Sequence, residues 1–277
     1  MNTVNANGTD FACEVRGTGE PLVLVHGALG DFRTWRTQMA TFTRNYRVLA
    51  YSRRWHYPSL AVVQGEDYTP DAQLADLLAI LEVTGPAHLV GHSYGAAIAA
   101  AAALHRPELV HSLVLAEPSL FSLLTANGAG ASALAHAVAA IAPVVPLLRQ
   151  GRKADALRQY LDVILGAGGY ERLPVRARIV MHDNLHTLEP MLNGLNAGTP
   201  FTQDHAARIS VPTLLLEGEH TPAPFALTLD ELAGAIPDVQ RVVLPGLSHG
   251  LHLENPTAFN RAVADFLAGV QAAALAA

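Results

Sequence analysis

Six short apolar runs recur along this chain of 277 residues, and their composition limits the kind of sheet it can build. They are PLVLVHG (residues 21–27), YRVLAYS (46–52), AHLVGHS (87–93), VHSLVLAEP (110–118), VPTLLLEGE (211–219) and VQRVVLPG (239–246). Their hydrophobicity is near-continuous rather than alternating. A strand with one wet face alternates and a strand buried on both faces does not, so the runs predict a parallel sheet covered by helices. Helical patterns lie between them at 32–43, 71–83, 94–105, 223–235 and 256–267, with Thr69-Pro70-Asp71 and Asn255-Pro256 as starts. Strand and helix in alternation predict one doubly wound α/β sheet. At the N-terminus, TVNANGTDFACEVRGTG carries Asn-Gly between two short runs and predicts an antiparallel hairpin on the sheet edge.

The rhythm breaks once. Residues 119–207 show no strand pattern, only Ala/Leu-rich helical stretches punctuated by Gly and Pro. Their place between two sheet strands predicts a helical cap over the strand ends, where open α/β sheets bind ligands. Residues 1–118 and 208–277 then form the core domain, and 119–207 the cap.

Half of the residues are hydrophobic and 15% are charged, enough for a sizeable core. The formal charge is −6, Lys153 is the only lysine, and no tight basic cluster occurs, so no nucleic-acid partner is expected. The single cysteine, Cys13, excludes an intrachain disulfide and fits a reducing compartment. The opening NTVNANGTD has neither the basic nor the apolar region of a secretion signal. Apolar stretches such as GAAIAAAAALH read as too short to cross a bilayer. The expectation is a cytoplasmic protein, monomer or homodimer, with no membrane partner.

Gly91-His92-Ser93-Tyr94-Gly95 matches G-x-S-x-G between an apolar strand and an alanine-rich helix. The turn must be sharp, which requires small neighbours, and it exposes the hydroxyl at a helix N-terminus as a nucleophile. With this motif and His26-Gly27 after the first strand, the chain resembles the α/β-hydrolase superfamily over nearly its whole length. The resemblance implies an α/β-hydrolase fold, and an oxyanion hole made by the backbone N–H groups of Ala28 and Tyr94. The physical need is for donors aimed at a developing oxyanion in a site that excludes water. His26 reads first as packing for its turn and second as a substrate contact.

Thirteen histidines compete for the role of base. GLSHGLHLENP, after the last strand, is similar to the family's terminal segment, whose first histidine is the base; here that is His249, with His252 in support. The usual acid position follows the penultimate strand, where this chain has Gly218-Glu219-His220-Thr221. Threonine cannot offer the negative charge that an imidazolium needs. Glu117 ends the strand after the nucleophile strand, a position some haloalkane dehalogenases and the zearalenone lactone hydrolases use for the acid. The latter are similar in pairing a serine nucleophile with a glutamate there. Glu117 is the expected acid, with Glu219 as rival and Asp230 or Asp238 behind it.

In YSRRWHYPS, residues 51–59, Arg53, Arg54, Trp55 and His56 either line the pocket mouth or hold a structural loop. His182 and His186 stand four apart, a metal-ligand spacing, yet no adjacent glutamate or third ligand accompanies them. They read as core or pocket-lining residues, and no metal is expected. His26, Trp55, His56, His182 and His186 are therefore the candidate substrate contacts. No phosphate-binding or dinucleotide fingerprint occurs, so no cofactor is expected. Together these readings predict a Ser93–His249–Glu117 hydrolase for an ester or lactone with apolar groups. The alternatives are a lyase or acyltransferase using the same residues, or a ligand-binding protein on a hydrolase scaffold. Serine at the elbow argues against dehalogenase and epoxide-hydrolase chemistry, for which the resemblance implies an aspartate nucleophile.

Overall fold

Asn7 and Gly8 both take positive φ, 46° and 66°, and turn the chain tightly enough to start a sheet at its edge. The structure is a computed structural model that describes residues 2–59, 68–125, 128–194 and 199–276. β1 (Asn2–Ala6) and β2 (Thr9–Arg16) pair antiparallel across this turn. β3 (Glu20–Val25), β4 (Tyr46–Tyr51), β5 (Ala87–His92), β6 (Val110–Ala116), β7 (Thr213–Gly218) and β8 (Val239–Leu244) complete an eight-stranded sheet in the order β1-β2-β4-β3-β5-β6-β7-β8. β2 meets β4 antiparallel, and every later pairing is parallel. Each apolar run of the sequence is thus a strand. β8 departs from the two-face rule: most of its residues are partly or fully exposed, because no strand lies beyond it.

Alternate residues of one strand serve two cores. Leu22 and Leu24 of β3 pack with Trp35, Met39 and Phe42 around α1 (Arg36–Phe42), and with Phe259 and Val263 of α13 (Pro256–Ala276). Val23 and Val25 face the other way, toward α2 (Pro70–Thr84), α3 (Tyr94–His105) and α11 (Ala223–Ala235). Thr69 caps α2 by accepting from the Ala72 N–H, with Pro70 in the first turn, as Thr-Pro-Asp foretold. α13 runs well past the expected end at residue 267, carried by the alanine-rich tail whose helix propensity is the highest available.

Between β6 and β7 the described residues hold no strand. They form α4 (Gly128–Ile141), α5 (Val144–Arg149), α6 (Lys153–Leu165), α7 (Gly169–Arg172), α8 (Val175–Asp183), α9 (Leu188–Gly194) and α10 (Gln203–Ala207). Residues 126–127 and 195–198 of this segment lie outside the described residues. Asn184 ties the segment to the core: its side-chain amide donates to Asp31 Oδ2 at 2.7 Å and accepts from the Tyr57 N–H at 2.7 Å. One expectation needs correcting. Gly128–Arg149 spans 22 residues and is apolar enough to cross a membrane by length and composition. Its alanines together with Leu134, Val138, Ile141, Val144, Val145, Leu147 and Leu148 give it that character, and little of it is buried.

Candidate active site

Ser93 is where β5 stops and α3 starts, and it sits at φ 54°, ψ −118°. That backbone is strained for any residue but glycine, by about 1–3 kcal/mol. Glycines on either side make the turn possible. A Cβ on Gly91 would lie 2.6 Å from Ala96 Cα, and one on Gly95 would lie 2.2 Å from the Val25 carbonyl oxygen. The turn is stitched to the neighbouring chain: the Ser93 N–H donates to the Ala116 carbonyl at 2.9 Å, and Ser119 N–H to the Ser93 carbonyl at 3.3 Å.

Strand register does the next step. His92 pairs with Ala116, so Ser93 and Glu117 emerge together at the carboxyl ends of adjacent strands. Glu117 is fully buried, at φ 52°. Its Oε1 accepts from the Gly218 N–H at 2.7 Å, and its Oε2 accepts from the Thr221 hydroxyl and from His249 Nδ1 at 3.2 Å. Among the described residues Glu117 is the one carboxylate bonded to His249. Glu219 instead accepts from Gly246 N–H on the exposed side, Asp230 pairs with Arg241, and Asp238 is exposed.

His249 follows β8 and is clamped from several directions. Its ring stacks on Phe225 with centroids 4.0 Å apart, and its carbonyl accepts from His92 Nε2 at 2.8 Å. One residue earlier, the Ser248 N–H donates to Glu254 Oε2 at 2.7 Å, and the Ser248 hydroxyl bonds the same carboxylate. With Nδ1–H given to Glu117, Nε2 is the nitrogen left to accept a proton. His252, in α12 (Leu251–Glu254), lies beneath, its ring 4.2 Å from His92 and 5.0 Å from Trp35 between centroids, with neither ring nitrogen bonded among the described residues.

Burial governs the electrostatics. It pushes the His249 imidazole down to about 3, opposed by the Glu254 charge, so the ring is a neutral base at neutral pH. It pushes the Glu117 carboxyl up to about 7, opposed by the hydrogen bonds from Thr221 and Gly218. Thr221, at the position after the penultimate strand where the family usually carries its acid, is thus a donor to Glu117.

Ser93 and His249 line one cavity of about 640 Å³. Ala28 lines it from the sheet side, and Leu161, Ile164 and Val180 of α6 and α8 line it from the helical segment. Among the described residues the Ala28 and Tyr94 N–H groups have no acceptor; Tyr94 is the first residue of α3. The five candidate substrate contacts lie off the lining of this cavity. His26 is fully buried, donating from Nδ1 to the Gly27 carbonyl at 2.8 Å and accepting the Arg53 N–H at Nε2 at 2.9 Å. His56 bridges the Gly30 carbonyl and the Tyr68 hydroxyl. Trp55 packs on Tyr68, His186 donates to the Trp55 carbonyl, and exposed His182 meets the Tyr170 hydroxyl. Arg53 holds the HG turn: its guanidinium donates to the His26 and Gly27 carbonyls, each at 3.1 Å. Among the described residues, no group of three His, Cys, Asp or Glu side chains stands close enough to hold a metal.

Residues 22–262 match the model of the Alpha/beta hydrolase family. The chain belongs to this family. As an α/β hydrolase it is 27% identical to Epoxide hydrolase 3 of Xenopus tropicalis, over 89% of this chain and 71% of that one. It is 28% identical to the Putative carbamate hydrolase RutD of Pseudomonas syringae, over 89% and 93%. In fold it is similar to the enol-lactonase from Burkholderia xenovorans LB400, with a TM-score of 0.78, 23% identity, and 96% and 99% of the two chains covered.

Proposed function

We propose that this α/β hydrolase cleaves a carboxylic ester or lactone through an acyl-enzyme on Ser93. The observation that carries the reading is the bond from His249 Nδ1 to the buried Glu117, in a cavity that His249 shares with Ser93. His249 Nε2 takes the Ser93 proton as Oγ attacks the carbonyl, and Glu117 stabilises the imidazolium. The Ala28 and Tyr94 N–H groups hold the oxyanion, helped by Arg53, which fixes the carbonyls just before Ala28. Imidazolium protonates the leaving alkoxide, and water activated by the same ring then releases the acid. The helical segment acts as a cap whose leucine, isoleucine and valine side chains favour apolar groups. The named relatives act on different bonds, and Ser93 favours acyl transfer over epoxide opening, which in this superfamily takes an aspartate nucleophile.

The test is intact-mass labelling with a fluorophosphonate. Wild type takes one adduct, at Ser93, and Glu117→Gln is labelled on the order of a hundredfold more slowly. Equal rates for the two proteins would remove Glu117 from the triad, and no adduct on wild type would leave ligand binding as the better reading.

A further inference from the structure

The charged side chains lining the Ser93 cavity are four arginines and one glutamate, on a chain whose net charge is −6. Two of the arginines are neutralised. Arg16 pairs with Glu14 at 2.5 Å, and Arg33 pairs with Asp31 at 2.6 Å and Asp183 at 2.8 Å. The side chains of Arg36 and Arg176 have no ion pair or hydrogen bond among the described residues. Arg36 opens α1 in the core and Arg176 lies at the start of α8 in the helical segment, so the two sides of the cavity each contribute one. Both are exposed, whereas Ser93 and His249 are buried, which places the arginines at the solvent end. Most of the remaining lining is apolar, with Leu161, Ile164 and Leu165 among it.

A polar reacting end, an apolar middle and a cationic rim describe the substrate. We infer that the ester or lactone cleaved here carries a carboxylate remote from its scissile carbonyl, received by Arg36 and Arg176. A guanidinium offers a planar fork of donors that matches a carboxylate, and two unneutralised ones at a cavity mouth steer anions toward it. This rests on the hydrolase reading above and adds the chemistry of the far end.

The experiment uses two alkyl fluorophosphonates of one chain length, one ending in a carboxylate and the other in its methyl ester. The second-order labelling rates are compared for wild type, Arg36→Gln, Arg176→Gln and the double variant, with thermal melts to verify folding. For wild type the carboxylate probe reacts about tenfold faster, as two partly screened contacts of about 0.7 kcal/mol each imply. Each single variant lowers that ratio about threefold, the double variant brings it near one, and molar salt does the same to wild type. A wild-type ratio near one overturns the inference while Ser93 labelling keeps the hydrolase reading intact. A ratio that survives in the folded double variant overturns the assignment to these two arginines. Absence of adducts from both probes removes the hydrolase reading, and the inference with it.

Discussion

Lowering the pH should unfold this protein steeply below 6.5, because it buries a set of neutral histidines. His26, His56, His92, His249 and His252 are all 9% exposed or less, and burial holds each well below its usual value of 6.5; His92 and His249 fall to about 3. A depressed folded value means that the unfolded chain binds protons first, so the stabilisation present above 6.5 is lost as pH falls toward 3. Between pH 7.5 and 5.5 each histidine forfeits about 1.4 kcal/mol, so the five together forfeit about 7 kcal/mol. Glu117 works in the opposite sense. Its folded value is raised to about 7 from 4.5, so it returns about 2 kcal/mol over the same interval. The net loss, about 5 kcal/mol, is comparable to the whole stability of many domains. Urea denaturation followed by circular dichroism reads it directly. With a slope of about 3 kcal/mol per molar, the midpoint falls by about 2 M between these pH values. His252, bonded at neither ring nitrogen among the described residues, offers a check, since His252→Leu removes one of the five protons and shrinks the net shift by about a quarter. A midpoint that moves by less than a few tenths molar would refute the reasoning, since it would mean that these rings are charged in the native state.

Thr221→Val keeps the shape of the side chain but removes its hydrogen bond to Glu117, which now holds that carboxyl down. The acid limb of the kcat/KM profile for a neutral aryl ester should move to higher pH by about one unit, and an unmoved limb would separate Thr221 from the chemistry. Gly95→Ala would drive a methyl to 2.2 Å from the Val25 carbonyl oxygen. Despite alanine's better helix propensity, stability should fall by about 3 kcal/mol or more, seen as a lower melting temperature or insoluble protein.

The sequence by itself determined the strands, the helical segment between β6 and β7, the hairpin at Asn7-Gly8 and the sharp turn at Ser93. Each is local chemistry: a continuous apolar run, a turn pair that accepts positive φ, or glycines where a side chain would collide. The candidates Glu117 and His249 could be named, but not their meeting. They stand 132 residues apart, and their bond depends on β5 and β6 being neighbours in register. Thr221, unsuited to the acid's role by its type, takes its place as a donor only because β7 lies beside β6. Of the side chains that the HG turn and the 51–59 loop offered as pocket candidates, His26 and His56 are occupied with carbonyls inside the core, the structural reading that each also carried. Arg36 and Arg176 stood out by no motif at all. What singles them out is the lack of a partner at the rim of a shared cavity, a property of packing between distant segments that no local pattern encodes.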